Sequence, residues 1–250
     1  TVLPPGVRVY VFGGAQHSPA TGPSDRGQQP PNPNDYRPLQ EALFAAMDEW
    51  VTDGTEPPPS VHPRVSDGTL LPWVADAVGW TALPGVTYPT VIQQPEFLNY
   101  GEAFDRYRRI DQHPPVRTGK RYGVRVPALD PDNNERGVLR LPRVGVPVAT
   151  YTGWNLRDTS IGNPSLFIGI SGGLAGWTLP FQKTAADRET TGDPRRSISE
   201  RYDNRDSYLR QVEKAGQTLV DEGYLLAEDL PRVVERAGLK YDYFMEETPA

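Results

Sequence analysis

The segment Val7–Phe12, VRVYVF, constrains the fold more than any other part of the chain. Val7, Val9 and Val11 alternate with Arg8, Tyr10 and Phe12, so a strand here is apolar on nearly both faces. Such a strand belongs inside a sheet rather than at its wet edge. It therefore needs neighbours on both sides, because unpaired edges of this composition are templates for aggregation. Gly13-Gly14 ends the strand, and the chain then delivers His17 to a glycine-softened turn.

The rest of the sequence offers few obvious neighbours. With 27 prolines, 24 glycines and only 37% hydrophobic residues in 250, long irregular stretches over a modest core are expected. Residues 18–38 are rich in Pro, Gly, Asn and Asp and read as a surface loop. A helix follows: Pro38 suits its first turn, and Leu39, Leu43, Met47 and Trp50 recur at helical spacing beside Ala42 and Ala46. Asp53-Gly54 stops it. TEPPPSVHPR, residues 55–64, is an extended link, because its prolines fix φ and lack donors. It places a boundary between residues 1–56 and 57–250.

Beyond it, residues 67–121 are short apolar pieces with a helical turn at 102–109. YGVRVPALDPDNNERGVLRLP predicts two strands around a turn at Asp130–Glu135, and VPVATYTGW predicts a third. Tyr208, Val212, Ala215 and Leu219 share one face of a helix over about 204–222. Leu230, Val233, Val234 and Ala237 make a shorter last one.

Composition excludes several functions. A net charge of −6 argues against a nucleic-acid partner, and Arg106–Arg108–Arg109 and Arg195–Arg196 read as solvated faces. Without cysteine there is no disulfide, thiol nucleophile or cysteine-ligated metal, and the compartment stays undecided. No apolar run approaches the ~18 residues of a membrane span, and no signal peptide opens the chain. Thr1 could in principle act as an N-terminal nucleophile, but nothing fixes its geometry, and an ordinary chain start is the favoured reading. His17, His62 and His113 have no i, i+4 pairing, so no zincin-type metal helix exists.

Three motif matches lack features that their chemistry needs. GISGG places Ser171 in a G-x-S-x-G pattern, yet every histidine precedes it, against the order of the nucleophile elbow. A tight glycine loop is favoured there. The patch also lacks the lysine of a phosphate loop. DPDNNE has Glu135 where a calcium loop needs its sixth-position glycine and Leu141 at position twelve, so a hairpin turn is expected. Among 32 acids, nothing singles out a pair for glycoside chemistry.

His17 carries the strongest functional signal. A lone histidine in a polar loop is commonly just solvated. Here it follows the end of a buried-type strand, where α/β sheets place their sites, and an amphipathic helix succeeds its loop. Strand, histidine loop and closing helix form the end of an α/β-hydrolase core.

VRVYVFGGAQH, ALFAAMDEWVTDGTEPPPS, RYGVRVPALDPDNNERGVLRLPRVGVPVATYTGWNLRD and LPFQKTAADRETTGDPRRSISERY together resemble the C-terminal half of a bacterial family of α/β-hydrolase domain-containing proteins. The resemblance runs from about Val7 to Ala237. The tannase and feruloyl esterase group is similar only in the histidine-loop-helix portion.

The resemblance implies an α/β fold in which residues 1–56 are the last strand and helix of a hydrolase core. Residues 57–250 would then be a mixed α+β extension. His17 would be general base and then general acid for hydrolysis of a small-molecule ester, with no metal or cofactor. The nucleophile and its acid partner would come from an N-terminal hydrolase half, in the same or a partner chain. Tyr151, Trp154 and Asn155 would be pocket-wall residues, with ordinary packing as the alternative. A non-catalytic binding module is the rival reading, and a subunit completing a partner's site is the third. A fragment should be molten or aggregation-prone alone, whereas a module should unfold cooperatively.

Overall fold

The computed structural model describes residues 3–20, 22, 24–168 and 175–246. Strand β1 (Phe12–Gly13) precedes helix α1 (Arg37–Asp53). Then follow β2 (Leu70–Pro72), α2 (Ala75–Val78), β3 (Glu96–Asn99), α3 (Glu102–Tyr107), β4 (Val116–Arg121) and β5 (Arg125–Pro127). The chain continues through β6 (Leu139–Arg140), α4 (Pro142–Gly145), β7 (Ala149–Tyr151) and β8 (Thr178–Pro180). It ends with α5 (Ala185–Thr191), α6 (Ile198–Arg201), α7 (Arg205–Asp221) and α8 (Leu230–Glu246).

The apolar strand near the start does find its neighbours. β1 pairs in parallel with β6, and the Leu139 N–H donates to Val11 O at 2.8 Å. On the other edge Tyr10 bridges Val61 in parallel, with Val11 N–H to Val61 O at 2.9 Å and Val61 N–H to Val9 O at 3.0 Å. Residues 9–13 therefore form the middle of a narrow parallel arrangement, and the expected open edges are closed. The proline link supplies one of those edges. Its prolines have no N–H to give, but their carbonyls accept: Pro58 O takes the Tyr10 hydroxyl and Pro59 O the Tyr224 hydroxyl.

The other described pairings are antiparallel and short: β2 with β5, β3 with β4, and β7 with β8. The two strands expected around Asp130–Glu135 exist, but they do not pair as a hairpin. One joins β2 and the other β1, and only a single bridge links Leu129 to Glu135. The turn between them is held locally, the Asp130 carboxylate accepting the N–H groups of Asp132 and Asn134.

Helix α1 starts with proline in its first turn and stops at Gly54, whose left-handed backbone lets its N–H reach Trp50 O. Leu39 and Ala42 face the core, while Phe44, Met47 and Val51 are exposed. Met47, placed by its spacing on the apolar face, lies at least half in solvent. Helix α7 begins at Asn204, whose side chain accepts the Ser207 N–H at 2.9 Å. The last helix is as long as α7 rather than shorter. The two pack antiparallel, clamped by Arg205 on Asp242 at 2.7 and 2.9 Å. Gly216 permits the close approach, since a Cβ there would stand 2.3 Å from Leu230 Cδ1.

One hydrophobic cluster joins Leu39 of α1, Leu139 and Leu141, Val144 and Val148, Tyr151, Phe181, Ile198, Tyr208, Val212, Ala237 and Phe244. Beside it lies a buried ion pair: Arg195 and Asp193 meet at 2.6 Å with both side chains almost wholly enclosed. Arg195 also donates to Thr150 Oγ1 at 2.8 Å and to the Leu179 and Pro180 carbonyls. Of the expected solvated arginines, Arg106, Arg108, Arg109 and Arg196 are exposed, but Arg195 is not. Its five donors end the β7–β8 ladder and cap the Phe181 ring at 5.1 Å.

Candidate functional site

His17 is held by a network that hides in what reads as a surface loop. Asn32 and Asn34 are fully buried, each flanked by prolines or by the helix start that keep the segment extended. Both asparagine amides donate to Gly14 O at 2.9 Å, and Asn32 also donates to Thr152 O at 2.9 Å. Gly14 has φ near +62°, and a Cβ there would crowd Val144 and Tyr151 at 3.0 and 3.1 Å. Only glycine fits this turn without strain. Its N–H donates to a Glu135 carboxylate oxygen at 3.0 Å.

Gln16 extends the lock. Its Oε1 accepts the N–H of Asn32 at 3.2 Å and of Gly176 at 2.7 Å, and its amide donates to Ser18 O. The next residue turns outward: His17 is exposed, and the Tyr36 hydroxyl donates to its backbone carbonyl. Tyr36 in turn packs its ring 5.7 Å from Phe12. Among the described residues the imidazole itself has no hydrogen-bond partner. The backbone is fixed on both sides and the ring is left free, an arrangement able to pass a proton to a group brought against it.

A cavity of about 90 Å³ opens beside this loop, bordered by Trp80, Tyr88, Trp154, Tyr151, Asn133 and Glu135 among others. Trp80 and Tyr88 rings lie 5.1 Å apart, and each lies 6.1 Å from Trp154. Trp80 and Trp154 both stand edge-on to the buried Trp177. Burial pushes the Glu135 carboxyl above its ordinary value, against the opposing pull of the Gly14 hydrogen bond and the Arg140 charge.

Of the three residues expected at a pocket wall, Tyr151 and Trp154 border this cavity. Among the described residues the Tyr151 hydroxyl has no hydrogen-bond partner, and burial drives its pKa up. Asn155 is instead a tie, donating to Gln29 O at 2.8 Å and Gly176 O at 3.4 Å. Ser171 lies outside the described residues. The sequence reading missed Glu135, Trp80 and Tyr88. Glu135 sits in the turn that fits a calcium loop poorly, and the aromatics come from a stretch without periodicity. Among the described residues no cluster of three or more His, Asp or Glu side chains could hold a metal ion, and no helix is long and apolar enough to cross a membrane.

Comparison with known families gives one result: a profile described as alpha/beta hydrolase domain matches residues 6–235. The match takes in the region beyond residue 56 that the sequence set apart as an extension. No curated protein and no solved structure matches.

Proposed function

This chain belongs to the alpha/beta hydrolase domain family, and on that premise we propose that it takes part in hydrolysis of an ester or related acyl bond with His17 as the proton shuttle. The observation that carries this reading is the locked loop: buried Asn32, Asn34 and Gln16 hold the backbone on either side of an exposed imidazole that has no partner among the described residues. That fixation stabilises the core, and it also holds the backbone around the histidine in one position, as an acid–base group requires.

In this proposal residues 1–56 present the histidine and residues 57–250 form the wall, with Tyr151 and Trp154 on the cavity and Asn155 behind it. The serine and its acid partner come from an N-terminal hydrolase half, in the same or a partner chain. His17 takes the serine proton as the hydroxyl attacks the ester carbonyl and returns it to the departing alkoxide.

The test is p-nitrophenyl acetate turnover by the chain produced together with the polypeptide encoded immediately upstream of it. His17→Ala should lower kcat/KM by at least ~10²-fold, the lower bound for losing a general acid–base group, with an unchanged circular dichroism spectrum. Turnover retained in His17→Ala sinks the assignment. The closed edges of the 9–13 strand favour a second reading, a self-sufficient binding module. That reading gains if the chain alone unfolds cooperatively and neither it nor the combination turns over any ester.

A further inference from the structure

The cavity beside the histidine loop has a chemical character of its own. Its polar lining is almost wholly committed. Asn133 donates to Thr81 O and accepts the Thr81 N–H, both at 2.8 Å. Thr152 donates its hydroxyl to Trp154 O and accepts the Trp177 N–H. The Tyr88 hydroxyl donates to Trp73 O. Two groups of the lining are left over among the described residues: the Tyr151 hydroxyl, buried without a hydrogen-bond partner, and Glu135, the one charged residue there. One of its carboxylate oxygens takes the Gly14 N–H, and the other has no partner among the described residues.

The nearest cation does not complete the pair. Arg140 spends its guanidinium on the Glu135 backbone carbonyl, on Asn134 O and on the Asp130 carboxylate. Glu135 thus forms no ion pair among the described residues, while Trp80, Tyr88 and Trp154 supply a contiguous aromatic wall. A carboxylate short of a counter-charge next to aromatic faces is what an organic ammonium group satisfies on two sides at once. A metal ion would lack the oxygen ligands it needs, and an anion would meet only repulsion.

We propose that this cavity binds a small organic cation, an alkylated ammonium group seated against Trp80, Tyr88 and Trp154 with Glu135 as its counter-ion. The space accommodates a head group of a few heavy atoms, and the walls are already set: Trp177 braces two of the rings, and the Tyr88 hydroxyl is anchored. The site lies on the cavity that the hydrolase reading uses as its wall and deepens that reading, but its binding readout involves neither His17 nor an acyl bond, so a failure of one is distinguishable from a failure of the other.

Tryptophan fluorescence titration with choline, and with its neutral isostere 3,3-dimethyl-1-butanol, tests it. Choline should give a saturable change and bind at least ~10-fold more tightly than the alcohol, the scale of a desolvated cation–π contact. Glu135→Gln keeps an acceptor for the Gly14 N–H and should weaken choline at least ~10-fold while leaving the alcohol unchanged. Tyr88→Leu, checked for folding by circular dichroism, should weaken choline more than the alcohol. Equal binding of the two probes, no saturable change with choline, or unchanged choline affinity in Glu135→Gln would each overturn the assignment.

Discussion

Residues 14–36 and 95–122 are both irregular in sequence, thick with Pro, Gly, Asn and charge, and the structure treats them in opposite ways. In the first, Asn32 and Asn34 are more completely buried than most of the valines, and their amides hold the strand end, the histidine turn and Thr152 together. In the second, β3, α3 and β4 form an arm in which no residue is buried. Its groups satisfy one another locally: Tyr122 N–H to Pro95 O, Gln112 N–H to Tyr100 O, Thr118 hydroxyl to Phe97 O. The difference lies in where the hydrogen bonds go. A loop whose side chains complete distant backbone groups becomes part of the core, and one that closes on itself becomes an appendage.

Substitutions should separate the two regions by size of effect. Arg195→Leu would leave Asp193 buried without its partner and strip donors from Leu179 O and Pro180 O, beside the strands on which the asparagine network rests. A loss of about 4 kcal/mol is expected from urea unfolding, the cost of breaking a buried pair. Asn32→Ala takes their side-chain partner from Thr152 O and the Asn34 N–H inside the protein and leaves Gly14 O with one amide donor instead of two, and about 3 kcal/mol should go with it. A loss under ~1 kcal/mol would place this loop with the arm instead.

Acid should weaken the same core, which the Asp35 and Asp193 carboxylates stabilise at neutral pH. The Arg37 and Arg236 contacts hold Asp35 well below the ordinary carboxylate range despite its burial. For Asp193 burial opposes ionisation, yet Arg195 outweighs it and the net shift is downward. A carboxyl with a depressed folded value contributes stability above its unfolded pKa of ~3.9 and loses it as pH falls towards the folded value. These two carboxyls should make the urea midpoint drop between about pH 4 and 3, while the raised Glu135 carboxyl acts in the opposite direction at higher pH, so no fall is expected between pH 7 and about 4.5. A midpoint flat to pH 3 contradicts the argument.

The arm should be the least sensitive region. Phe97→Ala removes a ring stacked on Tyr122 at 3.8 Å, but both rings are half in solvent, so global stability should change by under ~1 kcal/mol. Limited trypsin digestion should cut first among Arg106, Arg108 and Arg109. Earlier cleavage at Arg26 would reverse the ranking of the two loops.

Where periodicity was strong, the sequence was legible. The spacing of Leu39 and Leu43 located α1, and Asn204 and the Tyr208–Val212 face located α7 to within a residue. The glycine turn before His17 was also readable, because a positive φ demands glycine and the sequence places two there. Strand partners were not readable. Residues 125–127 and 139–140 look like one hairpin, and nothing in their composition says that one joins β2 and the other β1. The same holds for Arg195, a surface arginine by composition and a buried one by position.

The sequence alone determined which segments could be regular, where they had to stop, and that a histidine would follow an apolar strand through a glycine turn. These are local matters of φ, donors and apolar spacing. Only the tertiary structure decided that a proline link would close that strand's edge, that two asparagines would be core residues, and that Glu135 would face Trp80, Tyr88 and Trp154. Each of these depends on a polar group meeting a distant partner: Tyr10 and Pro58 are 48 residues apart, Asn32 and Thr152 are 120, and Gly14 and Glu135 are 121. Backbone groups removed from water must find some partner, but local sequence does not say which.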